Sequence, residues 1–123
     1  VTELLIYDGD CGFCTQSARW CRRRFKRSVD VQPWQALDLA RFGLTESDTT
    51  SAAYWVDARG RTHRGHAAVG RSLLAMRGGW PVLGAVVLTP PISLLARAVY
   101  AWVARHRDRL PGATDACRVP ERP

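Results

Sequence analysis

Apolar and polar positions divide this chain into short runs. Leu4, Leu5 and Ile6 lie consecutively inside Glu3–Tyr7, a run of strand length with no polar break, which predicts a buried first strand. From Cys11 to about Lys26 the spacing changes. Cys14, Ala18, Cys21 and Phe25 recur at i, i+4, i+7 and i+11, which predicts a helix with those residues facing inward. Arg19, Arg22, Arg23, Arg24 and Arg27 fill its other faces. Val29 to Trp34 alternates and reads as a second strand, and Pro33 places it at an edge or an end because proline has no N–H for a ladder. A short helix is expected over Ala36–Phe42, closing at Gly43. The β-prone runs Ala53–Val56 and Arg61–Arg64 flank Asp57-Ala58-Arg59-Gly60 and predict a hairpin. Three helices should follow, over about Ala67–Met76, Val82–Leu88 and Ile92–Arg107, the first ending at Gly78-Gly79.

At 123 residues the chain fits one domain, expected over 1–110, with an extended proline-bearing tail over 111–123. A hydrophobic fraction of 46% is ample for a packed core and excludes global disorder. The net charge of +7 rests almost wholly on arginine, Lys26 being the one lysine, and would suit acidic proteins, nucleic acid or anionic lipid. The basic runs Arg22–Arg27 and Arg105–Arg109 lack interleaved aromatic stacking platforms, so solvated helix faces are expected there and no nucleic-acid partner. Trp80–Ala104 is strongly apolar, but Pro90-Pro91 splits it and Arg97 interrupts its second half. A spanning helix needs about 20 uninterrupted apolar residues, so two short helices packed on a sheet are expected instead.

The candidate chemistry lies at Cys11 and Cys14, in Asp8-Gly9-Asp10-Cys11-Gly12-Phe13-Cys14, where the first strand runs through a turn into a helix. A helix N-terminus carries partial positive charge and unpaired N–H groups, which favour thiolate over thiol. A thiol one turn further on can close a small disulfide and expel a bound partner. The reading is a dithiol–disulfide redox site: Cys11 is the solvent-reached nucleophile and Cys14 the inward resolving thiol. Asp8 is a candidate proton acceptor, and Asp10 a candidate helix cap. Phe13 is expected to offer an apolar contact beside the thiols, and Trp34 or Trp55 to line their groove.

Cys21 cannot bridge Cys14 within a helix, since seven residues rise about 10 Å; it reads as a small buried hydrophobe. Cys117 is either an exposed tail thiol or a third redox partner folded back near Cys11. Structural zinc is disfavoured because no second pair of ligands accompanies the first. His63 and His66 read as structural. Four unevenly spaced cysteines do not make a secreted disulfide framework, and the chain shows no leader-like apolar start, so a reducing cytoplasmic setting is expected.

These residues resemble the DCC family of thiol-disulfide oxidoreductases, marked by an apolar strand and then Asp-Gly-x-Cys-x-x-Cys. The likeness continues through Val56–Arg61, Arg64-Gly65-His66-Ala67 and Tyr100–Arg107. It implies an α/β, thioredoxin-like mixed sheet flanked by helices, here with extra C-terminal helices. It also implies a dithiol at Cys11 and Cys14, but no particular substrate. Because two thiols carry the electrons themselves, no cofactor is expected, and the expected partner is a protein or small-molecule thiol or disulfide. Thioredoxins place a cis-proline just before the hairpin's first strand, where Thr49–Ala53 offers none. Leu5–Asp10 is also similar to the strand-Asp-x-Asp start of haloacid-dehalogenase hydrolases, but no later lysine and paired aspartates follow. The alternative from another class is a non-catalytic thioredoxin-like binding module associated with a membrane surface.

Overall fold

The computed structural model describes residues 3–26, 29–106 and 109. Strand β1 (Glu3–Tyr7) pairs in parallel with β2 (Val29–Pro33) and antiparallel with β3 (Tyr54–Val56). β4 (Thr62–Arg64) lies antiparallel on the far side of β3, giving the order β2-β1-β3-β4. Pro33 therefore lies on an edge strand, where its missing N–H costs no ladder bond.

β1 is central and covered on both sides, which is why its apolar run is continuous. Leu5 packs with Ala18, Val31, Trp55, Ala68 and Ala75 on one face. Leu4 and Ile6 join Ala52, Tyr54 and Val56 on the other, with Trp34, Phe42 and Tyr100 at the margin. Helix α1 (Gly12–Arg22) connects the two parallel strands. A parallel strand–helix–strand unit followed by an antiparallel hairpin in this order is a thioredoxin-like fold.

Three segments depart from the sequence reading. α1 stops at Arg22, short of Lys26. Phe25 instead bridges Met76, with Lys26 N–H donating to the Ala75 carbonyl and Arg77 N–H to that of Arg24, so a β-like contact between distant segments takes the backbone groups a further helical turn would use. The expected helix over Ala36–Phe42 is two single turns of 3-10 helix, Trp34–Ala36 and Leu39–Phe42, the second closed by Gly43 at φ 71°. An unexpected helix, α2 (Glu46–Ser51), follows. Its start is a reciprocal cap, in which Asp48 N–H donates to Thr45 Oγ1 at 3.2 Å and Thr45 N–H to Asp48 Oδ2 at 3.0 Å.

The last three helices are α3 (His66–Leu74), α4 (Trp80–Leu88) and α5 (Ile92–His106). The expectation that the last two pack on the sheet holds only in part. α4 lies on α3, and glycine makes the approach close enough: a methyl on Gly84 would fall 2.8 Å from the Gly70 carbonyl oxygen. α5 reaches the sheet layer through Tyr100, whose hydroxyl accepts the Ala53 N–H at 2.9 Å. Among the described residues no single helix is long and apolar enough to cross a membrane; α4 and α5 reach that length and composition only as a pair bent by 99°. The tail over 111–123, with Cys117, lies outside the described residues.

Candidate active site

The turn after β1 is built by close approach and by one carboxylate. A methyl on Gly9 would sit 2.7 Å from Pro33 Cβ, so only glycine lets the turn lie against the end of β2. Asp8 is buried, and its Oδ1 accepts three N–H groups: from Asp10 backbone at 3.0 Å, Gln35 Nε2 at 3.1 Å and Trp34 Nε1 at 3.3 Å. Gln35 also accepts the Gly9 N–H through Oε1 at 3.1 Å. Asp8 thereby ties the turn to the segment after β2, which fixes where α1 begins.

The helix cap is Cys11, in place of Asp10. Cys11 has the extended backbone of an N-cap, and its Sγ accepts the Cys14 N–H at 3.4 Å. This is a capping interaction with sulfur where oxygen is usual. Thr15 seals the same turn, its Oγ1 donating to the Cys11 carbonyl at 2.9 Å. The N–H that meets Cys11 Sγ belongs to the first helical turn, where it would favour a negative sulfur.

The exposure expected of the two cysteines is reversed. Cys11 is 0% exposed, whereas Cys14 is half-buried. Cys11 is disulfide-bonded in this structure, while Cys14 and Cys21 carry thiols. Cys14 faces an apolar cavity of about 570 Å³. Asp8, Phe13, Trp20, His66 and Tyr100 share its wall, so β1, α1, α3 and α5 all contribute. Cys21 lines the cavity further along α1, and burial pushes its thiol up to about 11 despite the nearby Arg24 guanidinium. It packs against the core cluster as a hydrophobe would.

The other sequence-picked residues divide. Phe13 stands beside the thiols as expected. Trp55 does not line the groove: it is fully buried in the core, with Nε1 donating to Glu3 Oε2 at 3.0 Å. Trp34 reaches the site only through its bond to Asp8. His63 pairs with Asp57 at 2.9 Å in the hairpin and takes no part. Gln35, His66 and Tyr100 were not legible as site residues, since each is brought in by the packing of a separate element; Trp20 lies further along α1 itself. Among the described residues no group of three or more His, Cys, Asp or Glu side chains is placed to hold a metal ion.

The second and third stretches of the family resemblance also meet in space. Gly65 has φ 62°, and a methyl there would lie 3.2 Å from the Tyr100 ring. The Gly65 N–H donates to the Ala53 carbonyl at 3.0 Å while Tyr100 takes the Ala53 N–H. Two separated pieces of the pattern thus hold one corner of the cavity.

A family model, described as DCC1-like thiol-disulfide oxidoreductase, matches residues 5–113. The chain belongs to that family. The match runs from within β1 past the end of α5 and includes the turn, the capping cysteine and the Gly65–Tyr100 corner. No curated protein and no solved structure matches the chain.

Proposed function

We propose that the protein catalyses thiol–disulfide exchange through Cys11 and Cys14, with Cys11 as the nucleophile. The observation that carries this reading is the Cys14 N–H aimed at Cys11 Sγ at the helix start, which favours the thiolate form of Cys11. In the first step the Cys11 thiolate attacks one sulfur of a substrate disulfide. A Cys11–substrate disulfide forms, the substrate S–S bond breaks, and the second substrate sulfur leaves as a thiolate. In the second, Cys14 loses its proton and attacks Cys11 Sγ. The Cys11–Cys14 disulfide forms and the first substrate sulfur is expelled as a thiolate. Two electrons pass from the protein dithiol to the substrate, and the reverse sequence oxidises a substrate dithiol. No cofactor enters either step.

Asp8, on the wall that Cys14 faces, is the proposed acceptor of the Cys14 proton. A Cys14→Ser variant tests the assignment. Incubated with glutathione disulfide, it should accumulate a mixed disulfide mapped by mass to Cys11. Modification at Cys21 instead, or none, would remove Cys11 from the role. For Asp8, an Asp8→Asn variant should slow release of the mixed disulfide and change the pH profile of that step, leaving the first attack unchanged.

A further inference from the structure

Many apolar side chains of α4 and α5 are exposed. Val82 is 70% exposed, and on α5 Leu94 and Leu95 are 67% and 66% exposed, followed by Val99 and Trp102 at 54% and 53%. Leu95, Val99 and Trp102 follow one another at i, i+4 and i+7, so they form a stripe along one side of the helix. α5 buries no residue, and α4 buries only Gly84. An apolar face of this extent marks a contact surface.

Charge identifies what the face meets. Between Asp57 and Asp108 the chain has no acidic side chain at all. Every charged group that α3, α4, α5 and their connections present is cationic: Arg71, Arg77, Arg97 and Arg105. At the start of α4 a second cationic group gathers, with Arg23 and Arg24 meeting Arg77, Gly78 and Trp80 around one hollow. Arg77 Nη2 bonds the Arg23 carbonyl, Arg24 stacks 3.9 Å over the Trp20 ring, and Trp20 meets Trp80 edge-on at 5.1 Å. Tryptophan and arginine at the rim of exposed valine and leucine is the composition of a surface that rests in a lipid headgroup layer.

We propose that α4 and α5 dock the protein on an anionic lipid bilayer, lying in the interface without crossing it. At 1.5 Å per residue, α4 and α5 run about 13 Å and about 22 Å, each short of the ~30 Å hydrocarbon core. The rim arginines meet anionic headgroups while Val82, Leu83, Leu94 and Leu95 enter the acyl boundary. Leu95 and Val99 also line the cavity that Cys14 faces, so docking sets that cavity against the membrane. The docking does not depend on the thiol chemistry, and a Cys11→Ser variant should bind vesicles as the parent chain does.

The test is co-sedimentation of the full chain with phosphatidylglycerol–phosphatidylcholine vesicles, compared with phosphatidylcholine alone. Binding should favour the anionic vesicles and fall as salt is raised. Leu94→Glu and Val82→Glu, both at exposed positions and checked for folding by circular dichroism, should each weaken partition by about tenfold or more. Arg97→Gln should weaken it by about fivefold on anionic vesicles only. Absence of binding to anionic vesicles at low salt would overturn the proposal, as would binding indifferent to both glutamate variants. A dimer that ignores vesicles and dissociates in Leu94→Glu would overturn it in favour of a second copy. Resistance to alkaline carbonate extraction would overturn it in favour of insertion.

Discussion

The half of the molecule around β1 and the half made by α4 and α5 use similar apolar residues in opposite ways. In β3 all three residues are buried, and Trp55, the largest of the fully buried side chains, sits at 0% exposure. In α5, fifteen residues long, none is buried, and its leucines are exposed. The first half turns hydrophobicity into a fixed platform, on which Asp8, Gly9 and Cys11 are placed by hydrogen bonds and close approach. The second keeps most of its apolar surface on display and touches the platform mainly through α3 and Tyr100. The site therefore sits where a rigid scaffold meets an adaptable apolar wall, and the two should answer differently to mutation.

The largest effect expected is chemical. Cys11→Ser should reduce thiol–disulfide exchange to background with the far-ultraviolet circular dichroism unchanged, because it removes the proposed nucleophile and keeps a small capping residue. Exchange at the parent rate would mean the chemistry lies elsewhere. Next comes the core contrast. Trp55→Ala should cost about 3–5 kcal/mol in denaturant unfolding, whereas Leu94→Ala should stay within about 0.5 kcal/mol. Equal costs would show that the exposed face of α5 is packed in solution after all.

A smaller effect probes the seam between the halves. Gly84→Ala drives a methyl against the Gly70 carbonyl and should cost about 1–3 kcal/mol, because backbone has to move. An unchanged midpoint would mean that α4 shifts on α3 without penalty.

The smallest effect is electrostatic and lies in the hairpin. Asp57 is held at about 2, below its ordinary 3.8, first by the His63 hydrogen bond and further by the Arg61 and Arg59 backbone N–H groups. A depressed carboxylate contributes stability that is fully present above 3.8 and is lost as pH falls from there toward about 2. An NMR titration of the Asp57 carboxyl should show that midpoint, and His63→Ala should raise it. A midpoint insensitive to His63 would contradict the assigned cause.

Much of the fold was legible because local pattern and tertiary role agree. Leu4-Leu5-Ile6 reads as buried because β1 is central, and Pro33 reads as an edge because β2 is one. The end of α1 was not legible, since it is decided by a bridge between Phe25 and Met76, fifty-one residues apart. α2 carries its own signal in Thr45 and Asp48, the capping pair, but its residues are weak helix formers, so periodicity and propensity do not reveal it. At the site, the motif names Asp8, Gly9, Cys11 and Cys14 directly. Which sulfur is covered is not set by the motif's spacing, and the roles of Gln35 and Tyr100 depend on elements that meet only after folding.

The central claim is that Cys11 and Cys14 interconvert between dithiol and disulfide. The most direct test is a redox titration of the full chain in glutathione buffers, with thiols trapped by alkylation and pairings read by mass. The account predicts a reversible Cys11–Cys14 disulfide with a midpoint between about −120 and −270 mV, while Cys21 remains a thiol throughout. A titration in which Cys14 never pairs with Cys11 would contradict it.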